Sequence, residues 1–455
     1  MKADKLVNLC QRYHALVLSN DDDMLCIAVV GNPSTELMDA LRFATRKKVD
    51  IECWTRERMD GHQHLLPATT DNRPAAELLS QTLQQALTQR ASDIHFEPAD
   101  NHYRIRLRVD GVLHDLAPVS AEAAATLVAR LKVLGNLDIA ERRLPQDGQF
   151  TVDIADVPIS FRIATLPCRD GEKIVLRLLH QVEQALELTT LGLTPQQLEV
   201  VERCLHQPQG LLLVTGPTGS GKTVSLYSAL QARNTAEVNI CSVEDPIEIP
   251  VAGINQTQVN PRAGLTFQNV LRALLRQDPD IMMVGEIRDG ETAEIALNAA
   301  QTGHLVLSTL HTNSTSETLV RLQQMGVARW MLSAALTLVI AQRLVRKLCP
   351  HCCQKNASSE PLPASLWPHP LPRWRAVGCD RCYHGFYGRL ALFEVLEIGA
   401  ALRQAIANGL DAQAIELLAR EAGMNTLFES GCLAVSRGQT TLEEVIRVLG
   451  IPHVD

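Results

Sequence analysis

The sequence predicts a multidomain α/β protein, and three observations carry that prediction. In the second half, short continuous apolar runs at Leu211–Val214, Val238–Val243, Ile281–Val284 and Leu305–Leu310 alternate with helical patterns, as the buried strands of a parallel sheet do. A glycine-rich loop, Gly216-Pro217-Thr218-Gly219-Ser220-Gly221-Lys222-Thr223, follows the first of those runs and leads into helix-compatible sequence. In the first half, Tyr103–Val109 alternates strictly, with Tyr103, Ile105, Leu107 and Val109 on one face and Arg104, Arg106 and Arg108 on the other, before an Asp110-Gly111 turn. With 455 residues and about 150 per domain, roughly three domains are expected.

Taken in order, residues 1–70 are expected to form an N-terminal docking region of short apolar runs mixed with charge, closed by the turn-rich stretch Pro67–Pro74. Residues 76–180 read as an α+β domain. Leu78, Leu79, Leu83, Ala86 and Leu87 recur at helical spacing within Ala76–Ala91, and a second helix is expected over Ala121–Leu134. Strands are expected at Phe150–Ile154, Ile159–Leu166 and Lys173–Leu179, in a sheet with one polar face. The pattern weakens over 181–196, which reads as a linker, and the α/β core follows over 197–455. Pro361–Pro372 is a proline-rich loop.

Lys plus Arg number 43 against 51 Asp plus Glu, a net charge of −8, which argues against wholesale phosphate-backbone binding. Aromatic residues make up 4%, too few for stacking platforms along a single strand. The longest apolar run, Trp330–Ala341, is broken by Ser333 and Thr337 and falls short of the about 20 residues a membrane-spanning helix needs. Met1-Lys2-Ala3-Asp4-Lys5 is followed by no long apolar stretch, so a cytoplasmic chain is expected. Twelve cysteines are too sparse for a disulfide-stapled scaffold and fit a reducing compartment.

The glycine-rich loop has the GxxxxGK[ST] pattern in its required strand–loop–helix context. Backbone N–H groups turn inward around phosphate oxygens, Lys222 reaches the β- and γ-phosphates of ATP, and Thr223 offers a hydroxyl to Mg²⁺. The strand Ile281–Val284 ends in Gly285-Glu286-Ile287-Arg288-Asp289, and Glu286 is the expected general base for water. Gly285 stands where a metal-binding Asp is usual. An alternative is that Glu286 merely pairs with Arg288. Glu244, in Glu244-Asp245-Pro246-Ile247-Glu248, lies at a strand end, where ligands of open parallel sheets sit, and is expected to orient metal-bound water. His304 and His311 bracket Leu305–Leu310; a γ-phosphate sensor and a hydrogen-bonded core histidine both remain open. Cys349-Pro350-His351-Cys352 and Cys379-Asp380-Arg381-Cys382 have the spacing of a closed, structural Zn²⁺ site. His351, Cys353 and His384 read as neighbours of the ligands.

As a set, these residues resemble the secretion ATPases that drive type II secretion and type IV pilus assembly. The resemblance runs from about Ala76 to the C-terminus and includes Ser92-Asp93-Ile94-His95-Phe96-Glu97-Pro98, Leu144-Pro145-Gln146-Asp147-Gly148 and Thr302-Gly303-His304. It implies a RecA-like ATPase core over 197–455, with a zinc-binding segment at 346–386 and C-terminal helices, preceded by a PAS-like domain. It further implies a hexameric ring that hydrolyses ATP to assemble pilus-like filaments, and arginines, Arg162 and Arg177, that act on the γ-phosphate. The implied partner is an inner-membrane platform protein, through which the chain would sit peripherally at the membrane, without stable nucleic-acid binding.

Two positions depart from the family pattern. Gln149 stands where an Arg commonly follows Pro-Gln-Asp-Gly, and the region before Ala76 is short. The tetracysteine segment resembles the assembly and secretion branches; the retraction branch lacks it. A DNA-translocating motor and a nucleotide-gated scaffold with little hydrolysis are the competing readings, the latter because of Gly285 and Gln149.

Overall fold

The computed structural model describes residues 10, 15–20, 24–31, 33–45, 47–54, 74–100, 102–116, 118–155, 157–179, 186–360 and 362–452. The turn-rich stretch after residue 66 and the first part of the expected linker lie largely outside these. The chain divides into two compact units, one of residues 1–108 and 113–178, the other of 109–112 and 179–455.

In the first unit, β1 (Leu16–Asn20), β2 (Met24–Val30) and β3 (Lys48–Trp54) form a three-stranded sheet. Helix α1 (Thr35–Ala44) connects the parallel pair β2 and β3. Leu25, Ile27 and Val29 alternate inward on β2 and pack with Leu37 and Leu41 of α1, the period-2 and period-4 patterns each element requires.

The middle sheet runs β6-β5-β4-β10-β9-β8, with β7 beside β5. Its strands are β4 (Ala91–Ala99), β5 (His102–Val109), β6 (Val112–Asp115), β7 (Val119–Ser120), β8 (Gln146–Ile154), β9 (Val157–Cys168) and β10 (Gly171–Leu179). Helices α2 (Ala75–Thr88) and α3 (Ala121–Leu134) pack on each other. The first helix ends earlier than its apolar period suggests, because Ala91 opens β4, a strand that periodicity alone does not reveal. On β4, Ile94 and Phe96 are fully buried, yet Asp93, His95 and Glu97 on the other face are buried as well. Ion pairs explain this. Glu97 is 10% exposed and meets Arg104, Arg106 and Lys173 at 3.1, 2.7 and 2.9 Å, while Asp93 meets Arg177 at 2.8 Å.

The second unit is built on a seven-stranded sheet in the order β13-β12-β14-β15-β11-β16-β19. These are β11 (Gly210–Thr215), β12 (Ile240–Glu244), β13 (Asn255–Gln258), β14 (Ile281–Val284), β15 (Leu305–Leu310), β16 (Leu336–Leu348) and β19 (Phe386–Glu397). All neighbours are parallel except β16 with β19. Leu211 and Leu213 face one apolar cluster and Leu212 and Val214 the other, so both faces are covered and the strands read as unbroken apolar runs. The apolar run at 330–341 is divided between a short helix (Arg329–Ala335) and the start of β16. Part of the expected linker packs as core: Leu188 is buried against the sheet, with Leu191 and Leu193 beside it.

Two helices frame the candidate site, α4 (Lys222–Arg233) after β11 and α5 (Thr315–Gln324) after β15. A two-stranded ribbon, β17 (Gln354–Glu360) and β18 (Leu371–Arg375), flanks the proline-rich loop. Among the described residues, no helix is long and apolar enough to cross a membrane.

Candidate nucleotide and metal sites

Strand β11 delivers the chain to Gly216 at the carboxyl end of the sheet, and α4 begins at Lys222. Between them the loop needs glycine at three places: Gly219 adopts φ 81°, in the left-handed region, and two more meet close neighbours. A Cβ on Gly216 would stand 2.5 Å from the Gln342 carbonyl oxygen, and Gly221 caps α4 at φ 89°, where its Cβ would stand 2.8 Å from Gln342 Nε2. The first turn of α4 has neither a side-chain cap nor an acidic residue, so its N–H groups and the positive end of the helix dipole are available to an anion. The Ser220 hydroxyl is buried without a hydrogen-bond partner. A phosphate oxygen fits that donor set.

Lys222 Nζ donates to the carbonyl oxygens of Gly216, at 2.7 Å, and Pro217, at 3.1 Å. Burial lowers its pKa to about 8; Glu286 opposes that shift and Arg343 adds to it. Thr223 is exposed on the first turn, open to a metal ion bound with phosphate.

Glu286 follows β14 and is held on both oxygens. Arg288 donates to Oε1, and His311 Nε2 lies 3.2 Å from Oε2. The pair with Arg288 that the sequence left as an alternative is therefore present, together with a histidine contact that the sequence did not indicate. Glu244, the last residue of β12, is 4% exposed. Its Oε2 accepts from the Tyr227 hydroxyl of α4, and its Oε1 from Ser242, at 2.5 Å, and Gln256, at 3.1 Å. Glu244 thus ties the end of β12 to α4. At Gly285, a Cβ would stand 3.3 Å from the Val243 carbonyl oxygen and 3.5 Å from Glu244 Cα, so an acid there would press on β12.

The two histidines separate by the register of the sheet. Gly210 pairs with Leu305 and Thr215 with Leu310, so His311 follows the end of β15 that lies beside the P-loop. His304 precedes the opposite end, about 20 Å away at strand rise, and its Nδ1 lies 3.1 Å from the Ala299 carbonyl oxygen. Within the subunit it is His311 that reaches Glu286, while His304 makes the hydrogen bond that the sequence left as its alternative.

Arg162 is exposed on β9 between the fully buried Phe161 and Ile163, directly across from Gln149 on β8. The family departure at 149 therefore lies on the face that carries Arg162. Arg177, on β10, pairs with Asp93 and keeps 56% of its side chain exposed.

The sulfur atoms of Cys349, Cys352, Cys379 and Cys382 lie within 4.8 Å of one another. Three of the separations are 3.6, 3.7 and 3.9 Å, against about 3.8 Å for four thiolates set tetrahedrally around zinc. Each CxxC turns back on itself, Cys352 N–H to the Cys349 carbonyl and Cys382 N–H to that of Cys379, and the Cys379 N–H donates to Cys382 Sγ. The donor set fits a closed metal site. His351, Cys353 and His384 lie outside that group of four.

Residues 68–447 match the family described as "Type II/IV secretion system protein". The protein transport protein HofB homolog of Escherichia coli is 67% identical over the whole of both chains. The type IV pilus assembly ATPase PilB of Pseudomonas aeruginosa is 47% identical over 84% of this chain and 68% of its own, and the type II secretion system ATPase E of Vibrio cholerae 44% over 86% and 78%. Among solved structures, the pilus retraction motor PilT with bound ADP is similar at TM-score 0.55 and 27% identity, over 82% of this chain and 97% of its own. DotB of Legionella pneumophila shares the fold at TM-score 0.61 and 21% identity, over 83% and 96%. A RecA-like P-loop core, an α+β domain before it, a tetracysteine cluster and a family match over most of its length together show that this chain belongs to the type II/IV secretion system protein family.

Proposed function

We propose that this chain hydrolyses ATP with Mg²⁺ and that, in a ring of six copies, turnover drives assembly of pilus-like filaments through an inner-membrane platform protein. The observation that carries the reading is the P-loop with an uncapped helix N-terminus and a buried, unpartnered Ser220 hydroxyl. Lys222 would leave the carbonyl oxygens of Gly216 and Pro217 for the β- and γ-phosphates, and Thr223 would hold the metal ion, which would supply charge neutralisation to the phosphates. Glu286 takes the proton of the attacking water, with His311 and Arg288 orienting its carboxylate. Glu244, its carboxylate taken by Tyr227, Ser242 and Gln256, keeps α4 in register and would act on the metal ion's water only through these neighbours, and Arg162 and Arg177 stabilise charge on the γ-phosphate. Cys349, Cys352, Cys379 and Cys382 hold a structural Zn²⁺.

ATP turnover by the purified full chain is the test, measured with and without the cytoplasmic domain of a platform protein. Glu286→Gln is expected to lose about 100-fold in kcat or more, and Lys222→Ala to lose turnover altogether. Unchanged turnover in Lys222→Ala would overturn the assignment. ATP binding without turnover in any state points to the gated scaffold, and stimulation by single-stranded DNA that weakens steeply with salt points to a nucleic-acid motor. For the cysteines, about one zinc per chain is expected in protein purified without added metal; a value well below that sinks the zinc reading.

A further inference from the structure

Strand β16 carries Gln342 and Arg343 in the middle of an otherwise apolar run, and both are buried, 2% and 7% exposed. Thr215 of β11 pairs with Ala341, so the next two residues of β16 lie alongside the P-loop. Gln342 Oε1 accepts from Ser225 of α4 at 2.7 Å. The Arg343 guanidinium spans further. Its Nη1 donates to the Gln342 carbonyl at 2.9 Å, and its Nη2 donates to both the carbonyl and the side-chain oxygen of Asn313, each at 3.1 Å. At the other end, a Cβ placed on Gly216 would stand 3.1 Å from Nη1. The guanidinium therefore lies beside the first residue of the P-loop and is hydrogen-bonded to the loop that begins at His311.

That loop hangs from β11 as well. The Thr215 and Thr312 hydroxyls are 2.6 Å apart, and the Thr312 N–H donates to Thr215 Oγ1 at 3.0 Å. Its leading residue, His311, contacts Glu286. Arg343 is thus a buried cation whose hydrogen bonds go to neutral oxygens, with Glu317 and Glu394 acting on it only from a distance. A charge kept from water in this way responds strongly to any anion that approaches, and the P-loop is the place an anion would occupy.

We propose that Arg343 is a positioning residue that transmits occupancy of the P-loop to the loop His311–Ser314 and so sets His311 against Glu286. The proposal rests on the ATPase reading above. It requires the planar fork, since one ammonium lacks the fixed donor geometry to hold the Gln342 carbonyl and both Asn313 oxygens together.

The test uses the full chain with Arg343→Lys and Asn313→Ala, and a non-hydrolysable ATP analogue with Mg²⁺ for amide exchange. Both variants are expected to lose about tenfold in kcat with KM for ATP within about threefold, and the double variant to lose little more than either single one. In wild type the analogue protects the amides of residues 312–315 as well as those of the P-loop; in Arg343→Lys only the P-loop protection remains. Should Arg343→Lys fail to fold, Asn313→Ala, which alters an exposed loop side chain, carries the test. A kcat within about twofold of wild type in Asn313→Ala, or protection of 312–315 retained in Arg343→Lys, overturns the proposal. Lys222→Ala in the same series keeps the two readings apart, because turnover that survives there overturns the ATPase assignment itself, whereas normal variants beside an inactive Lys222→Ala overturn only the role of Arg343.

Discussion

On the face shared by β4, β5 and β10, the buried carboxylates of Asp93 and Glu97 are matched by Arg104, Arg106, Lys173 and Arg177. Around the P-loop a half-buried and a buried cation are matched by backbone and amide oxygens instead: Lys222 by Gly216 and Pro217, Arg343 by Gln342 and Asn313. Both regions take charge out of water, and the difference lies in what completes it. On the middle sheet each buried acid already has its counterions, so the network holds strands together. At the P-loop the cations give up hydration for weaker partners, a cost that a bound polyphosphate would reverse.

The largest expected effect follows from removing a charge on the paired side. Glu97→Gln leaves three cations facing one another and should cost on the order of 3 kcal/mol, read from the shift of the denaturant midpoint. Lys222→Met, without nucleotide, is expected to leave stability within about 1 kcal/mol of wild type or to raise it. Equal losses in the two variants would erase the distinction between the regions.

Acid sharpens the same contrast. Burial alone would raise the pKa of Glu97, but hydrogen bonds from Arg106, Lys173 and Arg104 hold it down at about 2, below its unfolded value near about 4.3. A carboxyl lowered on folding contributes stability that is fully present above the unfolded value and is lost as pH falls from there through about 2. Glu97→Gln should flatten this part of the stability profile; an unchanged slope would show that Glu97 is not responsible.

The smallest effect is at Lys222, whose pKa near 8 lies below that of a free lysine. Folding with a lysine lowered in this way disfavours its charged form, a cost present below about pH 8 that fades as pH rises through the interval up to about 10.4. Phosphate beside Lys222 favours the charged form, so nucleotide binding near pH 8 should take up a fraction of one proton and weaken as pH rises further. Binding enthalpy measured in buffers of different ionisation heat reads this directly, and its independence of buffer would remove the claim.

The parts of the site legible in the sequence are those whose chemistry is set by local spacing. Gly216–Thr223 and the two CxxC pairs each carry their geometry within a few residues, so the strand–loop–helix turn and the four convergent sulfur atoms could be read before any fold was known. The sheet that surrounds them was less legible. Alternation found β5, whose two faces differ plainly, but missed β4 as a strand, because Asp93, His95 and Glu97 look solvated until β5 and β10 bring arginine and lysine to them. The run from Trp330 was too mixed to show that a helix turns into β16 at Leu336.

What the residues determined by themselves is the kind of chemistry to expect: a loop with the phosphate-binding pattern, an acid at a strand end, a four-cysteine cluster with metal-site spacing and a family resemblance that these motifs share. Which side chains meet was decided by the tertiary structure. His304 and His311 lie on either side of one strand, and only the register of β15 against β11 places His311 by Glu286 and His304 at the far end. Likewise Arg343 is remote in sequence from both the P-loop and Asn313, and it joins them because β16 lies beside β11. The physical reason is the same in both cases: spacing along a chain specifies contacts within a few residues, whereas contacts across a parallel sheet depend on strand order and register, which the packing of both faces sets as a whole.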